Sequence, residues 1–266
     1  VTFVPVDTLT HAFQNTNDTG GMTGQYNYLG NLGSPRLSRL FFDRRDASQF
    51  FFTDPYDLTV LRPEDIIFTN TLSPFTNLSY YKTFDSRNGE ERFKSYFAIN
   101  ANKRFGVGFY IDYLYGRGLY ASQSTAFFNG GLFASYRGDK YNMHFIFNND
   151  NLKMAENGGI ADDRYITNPL DMAEGKKEYK SYDIPTNLNK VWNHNTSYHV
   201  FMTQRYNLGF HKEKIDSVTK DSVRIIQEFV PVTSFIHTLQ VDLNGRKYIS
   251  YDDEQNQKYF EHNYLG

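Results

Sequence analysis

The chain has 266 residues, a formal net charge of -2, no cysteine, one tryptophan, 21 tyrosines and 24 phenylalanines, and its mean hydropathy is -0.60. The missing cysteines exclude disulfide frameworks, thiolate metal sites and cysteine nucleophiles, and without a clustered basic stretch nucleic acid is excluded as a partner. A composition both aromatic and polar is foreign to a soluble core built on Leu, Ile and Val. It suits strands with one face in lipid, the other in water and aromatic girdles at both interfaces.

No run of about 18 apolar residues occurs, which excludes a spanning helix. The first residues lack the basic-then-apolar layout of a signal peptide, so an exported protein would appear here in its mature form. Residues 1–62 read as an irregular pre-barrel, plug-like segment. They are rich in Asn, Asp, Gly, Thr and Pro, with a turn-forming run from Leu29 to Pro35. The aromatic clusters Phe41-Phe42 and Phe50-Phe51-Phe52 interrupt that polarity and need something to pack against.

From residue 63 to 266 the pattern is that of strands. Alternation of apolar and polar positions predicts seven of them, at Asn77–Phe84, Arg92–Asn102, Phe105–Tyr115, Thr125–Arg137, Tyr141–Phe147, Asn195–Leu208 and Thr233–Leu243, with an eighth at Ile66–Leu72. The cleanest places Phe105, Val107, Phe109, Ile111, Tyr113 and Tyr115 on one face, with Gly106, Gly108, Tyr110, Asp112 and Leu114 on the other. In Thr125–Arg137 two large residues, Phe127 and Phe133, break the rule by standing on the polar side.

Lys103-Arg104 and Gly138-Asp139-Lys140 read as short turns, while Asp85–Glu90, Gly116–Ser124 and the long outer loop 150–192 read as connections at the opposite end. The stretch Gly209–Val230 falls where a short turn is due, and it reads as a protruding hairpin bent near Asp216 to Asp221. The fold expected is all-β, an antiparallel up-and-down transmembrane β-barrel, closed because unpaired backbone groups in hydrocarbon cost several kcal/mol each. Lys258 to Gly266 lack a final amphipathic strand, which makes the chain read as the N-terminal part of a larger barrel.

Several stretches are similar to a porin family of Bacteroidetes outer membranes: Leu29-Gly30-Asn31-Leu32-Gly33-Ser34-Pro35, Phe41-Phe42-Asp43-Arg44, Phe52-Thr53-Asp54-Pro55-Tyr56, Glu156-Asn157-Gly158-Gly159-Ile160 and Asp163-Arg164-Tyr165-Ile166. The resemblance covers most of the chain. It implies a large barrel in the bacterial outer membrane, no catalytic residues, and members longer than this sequence.

A porin reading makes the inward row pore-lining: Arg92, Lys94, Tyr96, Asn100, Tyr110, Asp112, Asn129, Arg137, Asn142, His144, Asn148, His199 and Arg205. Its charges are four cations against Asp112, which suggests a preference for anions. The competing reading of the same residues is a barrel plugged by residues 1–62. His144 and His199 with Asp112 as orienter would suit a hydrolase, yet no serine at a strand-to-helix elbow accompanies them, so no enzyme is expected.

The acidic runs Asp162-Asp163 and Asp252-Asp253-Glu254 lack the spaced oxygen ligands of a calcium loop, and neither metal nor cofactor is expected. Asp7-Thr8-Leu9, Asp216-Ser217-Val218 and Asp221-Ser222-Val223 resemble the O-glycosylation signal of exported Bacteroidetes proteins, which makes Thr8, Ser217 and Ser222 candidate acceptors. The function expected is passive diffusion of small hydrophilic solutes through a barrel surrounded by outer-membrane lipid. The alternatives are a barrel subunit that binds other outer-membrane proteins through its long loops, or a soluble, tyrosine-rich sandwich that binds glycan.

Overall fold

The structure, a computed structural model, describes residues 19–21, 24–83, 89–173, 180–219, 222–251 and 254–264. Seven strands form one antiparallel sheet in which each pairs with the next along the chain. They are β3 (Phe75–Lys82), β4 (Glu90–Asn100), β5 (Phe105–Arg117), β6 (Ser124–Arg137), β7 (Tyr141–Glu156), β8 (Val191–Thr219) and β9 (Ser222–Ser250). This is the expected up-and-down order. The sheet does not close, and β3 and β9 are its edges. Among the described residues no helix is long and apolar enough to cross a membrane.

The strand alternation carries through to burial. Along β5, Phe109 and Tyr113 are exposed on one side, and Tyr110, Asp112 and Leu114 are buried on the other. Phe128, Leu132, Leu239 and Leu243 continue the exposed apolar face on β6 and β9. What buries the inner face is the N-terminal segment. Its hairpin β1 (Tyr26–Tyr28) and β2 (Arg36–Ser38) is followed by short 3-10 turns at Phe41–Asp43, Phe51–Tyr56 and Pro63–Asp65.

The segment passes from the long-loop end, where the Leu32 carbonyl meets Thr125, to the short-turn end, where Thr71 meets Asn100. Two apolar clusters seal it to the sheet. One holds Leu32, Tyr56, Leu114, Phe127, Leu152 and Met154, and the other joins Tyr110, Phe133 and Ile146 to Leu61, Ile66 and Phe68 of the segment. Phe127 and Phe133, the two exceptions in the alternation, are therefore the anchors. Tyr56 stands edge-on to Phe127 at 5.6 Å, and Phe68 edge-on to Phe133 at 5.3 Å. Gly33 takes a left-handed backbone, φ 77°, and an added Cβ would lie 2.6 Å from Leu114 Cδ2, so this turn fits against β5 only with glycine.

Three expected boundaries are corrected. Ile66–Leu72 is not a strand: it lies extended across the inner face, and its alternation comes from Ile66 and Phe68 packing on the sheet. The long connection does not begin at Asp150, because β7 continues to Glu156 and β8 starts at Val191. Asn148, Asn149, Asp150 and Asn151 are polar enough to read as a loop, yet all four pair with β8. Finally, β9 begins well before Thr233.

The hairpin is present. β7 stops at Tyr141, opposite Tyr206, so residues 207–219 pair with β9 alone. At about 3.3 Å per residue this arm projects roughly 40 Å past the sheet. A register shift at Leu208/Gly209 accommodates Pro231, which has no N–H to give the ladder. After β9 comes a helix, Glu254–Tyr264, whose Asn256 accepts from the Asn189 N–H and donates to its carbonyl.

The two faces make opposite predictions for neighbouring residues. Phe127→Ala empties the anchor against Tyr56 and should cost about 3–5 kcal/mol. Phe128→Ala, on the outer face, should cost about 1 kcal/mol or less in detergent. Unfolding midpoints of the two variants check this.

Candidate functional site

An irregular segment lying on a sheet has no strand partner for its carbonyls, and buried carbonyls need donors. The inner-face side chains supply them. Arg92 Nη2 donates to Leu58 O at 3.1 Å, Asn129 Nδ2 to Thr59 O at 2.9 Å, Asn148 Nδ2 to Leu61 O at 2.9 Å and Asn195 Nδ2 to Phe52 O at 3.3 Å. Farther along, the Tyr96 hydroxyl donates to Ile67 O and Asn100 Nδ2 to Thr71 O, both at 2.8 Å. Strands β4, β6, β7 and β8 thus each hold the segment, and they do so by its backbone. Asn129 is satisfied on both sides, since its Oδ1 accepts from the Asn151 N–H.

Charge is handled by pairing. Arg92 reaches Asp112 with two hydrogen bonds, at 2.9 and 2.6 Å, and both side chains are buried. His199 Nδ1 lies 2.6 Å from Asp242 Oδ1. Asp112 is thus held by Arg92 and not by a histidine, so the hydrolase-like trio is not assembled. His144 instead packs edge-on to Phe68 at 5.1 Å. Tyr56, outside the strands, has its phenol pushed well above the usual range by burial.

Eleven of the thirteen expected pore-lining residues fall into two groups, and Lys94 and His199 stand apart. Arg92, Tyr96, Tyr110, Asp112, Asn129 and Asn148 lie under or beside the N-terminal segment. Asn100, Arg137, Asn142, His144 and Arg205 line a cleft of about 700 Å³ at the short-turn end, together with Lys103 and Arg104. Lys94 is exposed, in register with Asp112. His199 borders a second cleft of about 570 Å³ between the segment and β8–β9, with Asp54, Arg62 and Asp242.

Sequence reasoning left out Asp150, Asn195, Ser197 and Asp242. Register would have found them: Asp150 and Ser197 lie on one rung with Lys94, Asp112, Asn129 and Asn244 across β4 to β9, Asn195 stands opposite Leu152 and Arg246, and Asp242 stands opposite His199.

Among the described residues no three His, Asp or Glu side chains gather as metal ligands. The Asp162 carboxyl is held below its usual range by the side-chain hydrogen bond from Arg164, and Asp252 and Asp253 lie outside the described residues. So does Thr8. Ser217 and Ser222 sit at the hairpin tip, paired through their backbones with Arg224 and Thr219.

A polar inner face, an apolar outer face and strands in simple up-and-down order are the features of a membrane barrel wall. The sequence matches the family described as "Putative porin" over residues 1–265. The chain belongs to this porin family. No curated protein and no solved structure matches it. Membership carries a porin-like role and an outer-membrane location, and the family points to a channel rather than a catalyst.

The Arg92–Asp112 pair yields a test of this porin wall. Arg92→Leu strands a buried carboxylate and frees the Leu58 carbonyl, at an expected cost of about 3–5 kcal/mol, whereas Arg92→Leu combined with Asp112→Leu should cost clearly less. Denaturant unfolding in detergent gives both values, and a double variant no better than the single one would contradict the pairing.

Proposed function

We propose that the chain forms part of the wall of an outer-membrane channel through which small hydrophilic solutes diffuse passively, with its N-terminal segment narrowing the passage from within. The observation that carries this reading is the segregation of the two faces: Phe109, Phe128 and Leu239 exposed outside, Asp112, Asn129 and Asn148 inside. The outer face is the surface for lipid. In hydrocarbon the edges β3 and β9 pair with further strands, because open edges are too costly there.

The cleft at the short-turn end supports a preference for anions. Lys103, Arg104, Arg137 and Arg205 stand around it, and Asp139 is engaged with Arg104 at 3.0 Å. A second reading, a barrel subunit that docks onto other outer-membrane proteins, is favoured by the projecting arm 207–219 and its partner strand.

Planar-bilayer recording of the full-length protein separates the two. A channel passes steady, anion-selective current. Asn129→Asp with Asn148→Asp turns carboxylates toward the Thr59 and Leu61 carbonyls and should raise conductance by releasing the segment. A barrel silent in both forms that purifies with a stoichiometric partner supports the docking reading instead.

A further inference from the structure

Beneath residues 52–61, five oxygen atoms are fully buried and have no hydrogen-bond partner among the described residues: Tyr110 OH, Asn148 Oδ1, Asp150 Oδ1, Asn195 Oδ1 and Ser197 Oγ. They belong to one patch. Asp150 faces Ser197 across β7 and β8, and the adjacent rungs are Asn148 opposite His199 and Leu152 opposite Asn195. Asn148 Nδ2 lies 3.5 Å from Asp150 Oδ2. Tyr110 reaches the same patch through Gly131, its partner on β6, which in turn faces Asn148.

The two amides are not free to turn. A backbone carbonyl only accepts, so the Asn148 amide nitrogen must face Leu61 O and that of Asn195 must face Phe52 O. Holding the segment therefore turns both Oδ1 atoms away from it, into the buried layer of the wall. The Tyr110 and Ser197 hydroxyls can donate one proton each, Tyr110 toward Asn148, so three acceptors face at most two donors, and one acceptor belongs to an acid.

The nearby cations are committed elsewhere: Arg246, opposite Asn195, donates to Asn193 Oδ1 at 3.1 Å and lies over the Phe52 ring. Arg92 makes two charged hydrogen bonds to Asp112. His199 Nε2 is 3.8 Å from Asp150 Oδ2, beyond a hydrogen bond, while its other ring nitrogen is held by Asp242. A buried carboxylate among unpaired oxygens is costly. Asn148, Asp150, Asn195 and Ser197 are at most 1 % exposed, so no additional strand or partner protein can reach these atoms, and a ligand for them must be as small as an ion.

A donor set made of a carboxylate, two amide oxygens and a hydroxyl is the chemistry of hard cations such as calcium or sodium, and not of soft or nitrogen-seeking metals. We propose that Asn148, Asp150, Asn195 and Ser197 form a buried site for a hard, oxygen-ligated cation that fastens the N-terminal segment to the inner wall. This site stands on the segment's coverage of β7 and β8, whether or not solutes pass.

The test uses full-length protein in detergent, stripped with chelator into choline chloride. CaCl2 or NaCl is then added at matched ionic strength, with the thermal midpoint and bound metal as readouts. The midpoint should rise saturably with at least one of the two ions. Asp150→Asn should abolish that response, and Ser197→Ala, which removes one ligand and little volume, should weaken the apparent affinity several-fold. Wild-type protein insensitive to both ions overturns the proposal, as does an Asp150→Asn variant that responds like wild type. If Asp150→Asn does not fold, an unchanged response in Ser197→Ala overturns it. So does stabilisation by acid alone that neither ion reproduces. None of these outcomes depends on conductance, so the site and the channel reading fail separately.

Discussion

Residues 52–71 cross the inner face without a strand partner, and each buried carbonyl along them must find a donor that the sheet supplies. That need determines the character of the inner row. Asparagine meets it with a short amide that donates outward from the wall, and arginine meets it while also closing an ion pair. The tyrosine and phenylalanine rings between them exclude water from those bonds, which raises the cost of breaking any one. The wall and its filling are therefore one structure.

The same constraint explains why a polar face can be so fully buried. Asn129, Asn148 and Asn195 are nearly inaccessible, although they stand where a simple barrel would be wet. Their burial is tolerable because the segment passes directly over them. On the other side of the same strands nothing of the described chain covers Phe128, Leu132 or Leu243, an apolar outward surface of the kind a membrane barrel wall presents.

Much of this was legible in the sequence. Strands β5 and β6 announced themselves because one face is apolar and the other is not. Where both faces are polar, as at Asn148–Asn151, the period disappears, and β7 looked shorter than it is. Ile66–Leu72 showed the converse: alternation arises wherever an extended chain rests on a packed surface, paired or not. The inward positions of Arg92, Asp112, Asn129 and Asn148 followed from parity alone. Their partners did not, because a carbonyl accepts from any donor that reaches it and leaves no mark in the sequence. Asp150 escapes such a reading because it lies in the run of β7 that is polar on both faces, and Asp242 because β9 alternates weakly.

The central claim is that the exposed aromatic row faces acyl chains and the polar row does not. Because the chain has no cysteine, single cysteines at Phe109, Phe128 and Leu239, and at Asn142 and Thr203, can be spin-labelled one at a time in the full-length protein in vesicles. The account predicts that the first three labels relax with lipid-dissolved oxygen and ignore a water-soluble nickel chelate, while the last two do the reverse. Labels at Phe109 and Phe128 shielded from both reagents, as in a water-soluble core, would contradict it.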